Sequence, residues 1–118
     1  MAKGTHTSMR TVNLEAGHPT TMQTLVRMNQ ALSSARTNVG VLKLIHGYGS
    51  SGKGGAIRQA VLEQLQRQKA QGIIREFVPG EEFSPFSASG RKALALIPEL
   101  SRDKDYARGN KGITLVLF

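Results

Sequence analysis

The chain has 118 residues, a net charge of +8 from 16 Lys plus Arg against 8 Asp plus Glu, and no cysteine. That length holds one domain of ordinary size, and 39% apolar residues supply a core, so wholesale disorder is excluded. The absence of cysteine excludes disulfide frameworks, thiolate nucleophiles and zinc ribbons. The longest unbroken apolar run, Ala93 to Ile97, is far short of a membrane span. No apolar stretch follows Met1-Ala2-Lys3, so no signal peptide is read and the expected location is cytoplasmic.

The charge is one-sided. Residues 1–75 hold ten bases (Lys3, Arg10, Arg27, Arg36, Lys43, Lys53, Arg58, Arg67, Lys69 and Arg75) and two acids, Glu15 and Glu63. Residues 76–118 hold six of each, so the first part carries the whole excess. Such a field attracts polyanions through counterion release. DNA or RNA, or an assembly containing either, is the expected partner. No basic helix carries large exposed apolar residues, which argues against a membrane partner.

In chain order, residues 1–9 are polar and read as a disordered tail, and the domain is expected over 10–118. Arg10 to Glu15 alternates, with Val12 and Leu14 apolar, and predicts a short strand. Pro19 suits the first turn of a helix over about 19–36, with Met22, Leu25, Val26, Met28 and Leu32 at helical spacing. Met22 and Met28 are expected to fill gaps in the core. Val41 to Ile45, apolar except Lys43, is a second strand. Ile57, Ala60, Val61 and Leu65 mark a second helix over about 55–70, and Ile73 to Val78 a third strand. The stretch 79–111 reads as an insertion with one short helix, Ala88 to Ile97, that Pro98 stops. Ile113 to Phe118, apolar except Thr114, is a last strand, expected inside the sheet or on a covered edge. Strands alternating with helices predict an α/β two-layer sandwich: two main helices on a four-stranded mixed sheet, ordered β-α-β-α-β-β with a helix inserted before the last strand.

The segment Ile45-His46-Gly47-Tyr48-Gly49-Ser50-Ser51-Gly52-Lys53-Gly54-Gly55 is the most informative. A buried strand runs through glycine-rich backbone into a helix, whose first N–H groups lack partners and carry partial positive charge. Glycine permits close approach, and Ser50, Ser51, Lys53 and Arg58 add donors, so the arrangement suits phosphate. Gly47 to Lys53 also matches the start of a nucleotide-binding P-loop. Gly54, however, stands where that motif needs the Ser or Thr that binds Mg²⁺, and no acid-tipped strand follows. His46 ends its strand where α/β proteins bind ligands. A histidine there either acts on a ligand or braces the loop, and the residues leave both open.

These residues resemble the small MutS-related (Smr) domain family. Its pattern is an apolar strand, His-Gly-x-Gly, a glycine-rich turn, a helix opening on an apolar-Arg pair, and a terminal Gly before an apolar strand. Here it reads Ile45-His46-Gly47-Tyr48-Gly49, Gly55-Ala56-Ile57-Arg58, and Gly112-Ile113-Thr114-Leu115-Val116-Leu117. The resemblance covers about Arg10 to Phe118 and identifies a stand-alone version. It implies a fold like the C-terminal domain of the third bacterial translation initiation factor. It further implies DNA or RNA binding, with nicking endonuclease activity in some members. One departure bears on chemistry: the family's first strand usually carries Asp-Leu-His, and here it is Asn13-Leu14-Glu15.

Phosphodiester cleavage would place His46 and Glu15 in catalytic roles, His46 as acid or base and Glu15 orienting it or binding a cation. Gly47, Tyr48, Gly49, Ser50, Ser51, Lys53 and Arg58 would bind nucleic acid, Tyr48 by stacking on a base. Three scattered histidines give no metal-ligand spacing, so no metal residue is assigned; a divalent cation enters only with nuclease activity. The alternative is a non-catalytic interaction domain docking on a nucleoprotein assembly through Phe83, Phe86 and the 88–97 helix.

Overall fold

The computed structural model describes residues 8–47 and 54–118. Strands and helices follow as β1 (Met9–Asn13), α1 (Thr21–Ala35), β2 (Val41–Ile45), α2 (Gly54–Ala70), β3 (Glu76–Pro79), α3 (Ala88–Leu96) and β4 (Ile113–Leu117). Short 3-10 turns lie at Gly80–Glu82 and Pro98–Arg102. The expected tail falls outside the described residues up to residue 7, and Met9 already pairs in β1.

The sheet has the order β1-β2-β4-β3. β1 and β2 are parallel, and β4 runs antiparallel to both of its neighbours, so the sheet is mixed as expected. The last strand lies inside the sheet. Register then defines two edges. Met9, Val41, Leu117 and Glu76 form one row, while Asn13, Ile45, Ile113 and Pro79 mark the other, where β1, β2 and β3 all end.

Alternation assigns the faces. Leu14, Leu42, Leu44 and Val116 pack with Met28, Leu32 and Ala35 of α1 and Val61 and Leu65 of α2. Val41, Ile113, Leu115, Leu117 and Val78 pack instead with Phe83, Ala93 and Leu100 from the insertion. The two main helices thus make the expected α/β layer on one face, and 79–111 covers the opposite face. Coverage on both sides explains why β2 and β4 read as near-continuous apolar runs instead of alternating ones.

Four local differences from the sequence reading have physical causes. Pro19 precedes α1 instead of sitting in its first turn, because Thr20 is the cap: its Oγ1 accepts from the Gln23 N–H at 3.1 Å, and Gln23 Oε1 accepts from the Thr20 N–H at 2.9 Å. Met22 is 70% exposed and fills no core gap, because the buried stripe of α1 runs through Thr24, Met28, Leu32 and Ala35. β3 starts at Glu76 rather than Ile73, and Ile74 reaches the core from the connection before it. Phe83 is fully buried with its ring edge-on to Tyr106, centroids 5.4 Å apart, so it is core and cannot serve as a docking contact.

Candidate functional site

The strand ends bring together the residues singled out above. Asn13 closes β1 by accepting the Glu15 N–H on its Oδ1 at 2.9 Å, which turns the chain and sets Glu15 beside the end of β2. Gly47 has a φ of +81°, in the left-handed region, and a Cβ there would run into the Glu15 carboxylate. The positive φ favours glycine at 47, while the exposed Glu15 carboxylate, at the end of a flexible side chain, can move aside. Tyr48, Gly49, Ser50, Ser51 and Lys53, expected to hold phosphate, lie outside the described residues.

His46 is 2% exposed. Its Nδ1 lies 3.0 Å from the Gly47 carbonyl and its Nε2 2.9 Å from Thr114 Oγ1. A carbonyl only accepts, so Nδ1 carries the proton and, in the neutral ring, Nε2 accepts from the Thr114 hydroxyl. Burial pushes the imidazole pKa below its ordinary value against the pull of the Gly47 bond, and the Arg58 charge adds to the lowering. The neutral ring braces the turn, the second of the two roles its position suggested. Acid–base work by His46 would require one of these two bonds to open.

Arg58 lies on α2 and makes an ion pair with Glu81 of the 3-10 turn after β3, while its Nε donates to the Lys111 carbonyl at 3.3 Å. The pair holds the Glu81 carboxyl below its usual range despite partial burial. Arg27 of α1 donates to the carbonyls of Leu14 and Ala16, at 3.3 and 2.6 Å, and so fastens the β1–α1 connection. Both arginines counted in the basic field are therefore engaged inside the fold. Among the described residues no group of His, Asp and Glu is placed to hold a metal ion, and no buried side-chain polar atom lacks a partner.

The sequence reading missed the network that supports this edge. Lys43, 4% exposed on β2, donates to Asp103 and Asp105 at 2.7 Å each. Burial opposes its charge, but the two carboxylates outweigh burial and raise its pKa. Asp105 in turn accepts from Asn110 Nδ2 at 2.9 Å, and Asn110 Oδ1 accepts from the Gly112 N–H at 3.0 Å. The Gly112 carbonyl accepts the N–H groups of His46 and Gly47, at 2.9 and 3.1 Å. A continuous hydrogen-bonded chain thus runs from the buried ammonium to the His46–Gly47 turn. Lys43 and Thr114 are the polar interruptions in their apolar strands, and that was the available signal for buried partners.

The fold supports an Smr-like domain through its likeness to a solved one. The crystal structure of the Smr domain of MutS2 from Thermus thermophilus matches this chain at 26% identity with a TM-score of 0.56, covering 92% of this chain and 95% of that one. No family model and no curated protein matches the sequence.

Proposed function

We propose that this Smr-like domain binds nucleic acid through its phosphate backbone, largely independently of base sequence, with the turn from His46 to Arg58 as its local contact. The observation that carries the reading is the charge left over after pairing. Among the described residues, ion pairs engage four acids and four bases, leaving ten bases and four acids without one. Pairing removes acids and bases in equal number, so the positive excess stays with bases that lack an ion pair, most of them exposed, where counterion release gives affinity. Likeness to the Smr domain of MutS2 supports the same reading. Titrating binding of matched DNA and RNA duplexes at rising salt tests it: log affinity should fall steeply and linearly with log salt, and a flat response refutes it.

A second reading, a nicking endonuclease, is favoured by the convergence of the Glu15 carboxylate and His46 on one edge. A supercoiled-plasmid assay separates it from binding alone. Nicking by the wild type that His46→Ala abolishes supports the enzyme, and equal nicking by both proteins rejects it.

A further inference from the structure

Phe86 is 89% exposed, more than any other large apolar side chain among the described residues. Its loop is tightly braced. The Phe86 N–H donates to Ser84 Oγ at 3.2 Å, and Arg91 Nη1 donates to the Pro85 carbonyl at 3.2 Å. Ser87 caps α3 by accepting the Gly90 N–H at 2.8 Å while its hydroxyl donates to the Glu82 carbonyl. Gly90 has no room for a Cβ against the carbonyls of Ser84 and Glu82, and Phe83 anchors the loop from the core. An aromatic ring is thus presented to water on a preorganised support.

Its position matters as much as its exposure. Glu81, five residues earlier, pairs with Arg58, and five residues of chain span at most about 18 Å. The ring therefore follows within five residues of the turn that leaves β3 at Pro79, the strand end that also carries the His46–Gly47 turn. Of the carboxylates nearest to it in sequence, Glu81 is paired with Arg58, and Glu82 keeps its charge while accepting from Ser89 at 2.8 Å; Arg91 stays exposed and without an ion pair among the described residues. The other exposed large apolar residues sit elsewhere: Met9 on β1, Met22 and Val26 on α1, Ile73 before β3, and Leu96 at the far end of α3. A protein-docking surface needs a contiguous apolar patch, and among the described residues no other exposed large apolar side chain neighbours Phe86 in its loop. A lone rigid ring beside the Arg91 guanidinium and serine hydroxyls instead fits the flat face of a base.

We propose that Phe86 stacks on an unpaired nucleobase, which makes single-stranded or locally opened nucleic acid the preferred ligand of this edge. The inference rests on the nucleic-acid reading above and deepens it.

The chain has no tryptophan, so Phe86→Trp installs a single reporter at an exposed position. Its emission should be quenched by a single-stranded pyrimidine oligonucleotide and not by a base-free strand of the same length. In parallel, Phe86→Ala should weaken single-strand binding about tenfold and leave duplex binding unchanged. Equal emission changes with the base-free strand, or unaltered single-strand affinity in Phe86→Ala, overturn the stacking proposal alone. Failure of the wild type to bind any strand overturns the nucleic-acid reading itself. Concentration-dependent self-association that Phe86→Ala abolishes assigns the ring to a second copy of the chain and overturns the proposal.

Discussion

The two edges of the sheet differ in how they use charge. Where β1, β2 and β3 end, acids and bases interlock: Arg58 with Glu81, and the Lys43 cluster reaching His46 and Gly47 through Asp105, Asn110 and Gly112. At the opposite edge lie Arg10 on β1, Arg36 at the end of α1, Arg67 near the end of α2, and Arg75 before β3. All four are exposed and free of ion pairs among the described residues. Glu76 is the acid there that answers bases, holding Lys69 at 2.9 Å and Lys92 at 3.6 Å. Arg36 and Arg67 also face negative helix ends, which favour them locally. Geometry and net charge therefore sit apart, and a charge count alone does not locate a site.

The sharpest way to break that contrast is to unhook the interlocked edge. Lys43→Ala leaves the largely buried Asp103 and Asp105 without their shared cation, and should cost about 3–5 kcal/mol in denaturant unfolding. Hydrogen exchange at the His46 and Gly47 amides should rise in the same variant, because their common acceptor, Gly112, loses its tether. Unchanged exchange there would disconnect the cluster from the turn.

The open edge is tested by binding. The triple change Arg36→Gln, Arg67→Gln and Arg75→Gln should reduce the salt slope by as much as about 2.7, roughly fortyfold over a fourfold salt range, if all three meet phosphates. Thermal stability should barely move, since the three are exposed. An unaltered slope would confine nucleic acid to the other edge. Gly47→Ala comes next, at about 1–3 kcal/mol from the positive φ together with the Glu15 contact. Adding Glu15→Ala should recover only the contact portion; full recovery would mean that φ is not strained.

The sequence made the scaffold legible where residues report on their own neighbours. The run Val41 to Ile45 delimited β2, Ile113 to Phe118 delimited β4 to within one residue, and Pro98 marked the end of α3. It misplaced β3 because Ile73 and Ile74 look like strand residues, yet Ile74 enters the core from outside the ladder. The site was legible at His46 and Gly47, which sit at the strand end that their spacing implied. Their partners were hidden by distance along the chain. Lys43 finds Asp103 and Asp105 sixty and more residues on, Arg58 finds Glu81, and His46 finds Thr114. Pairings of that range decide whether a base counts toward a surface field, and neither composition nor periodicity encodes them.

The smallest expected effect is the pH response of His46, and it too separates the edges. Burial keeps the folded ring neutral, whereas the unfolded ring takes its proton near the ordinary value of about 6.5. As pH falls, the unfolded state binds the extra proton first. Stability is therefore complete above about pH 6.5 and declines as pH drops toward the lower folded value, by no more than about 1.4 kcal/mol per pH unit for one proton. Unfolding midpoints between pH 7 and pH 5 should show this slope in the wild type and lose it in His46→Gln. A second decline below about pH 4 should persist in that variant. It arises from Asp105 and Glu81, which burial would raise but whose bonds to Lys43 and Arg58 hold them low, so their stabilisation fades only as acid protonates them. Arginine keeps its charge throughout this range, so whatever Arg36, Arg67 and Arg75 contribute to binding should be the same at pH 7 and pH 5.5. Binding that strengthens at the lower pH and does so only with His46 present would put a protonated imidazole against phosphate at the His46–Arg58 turn.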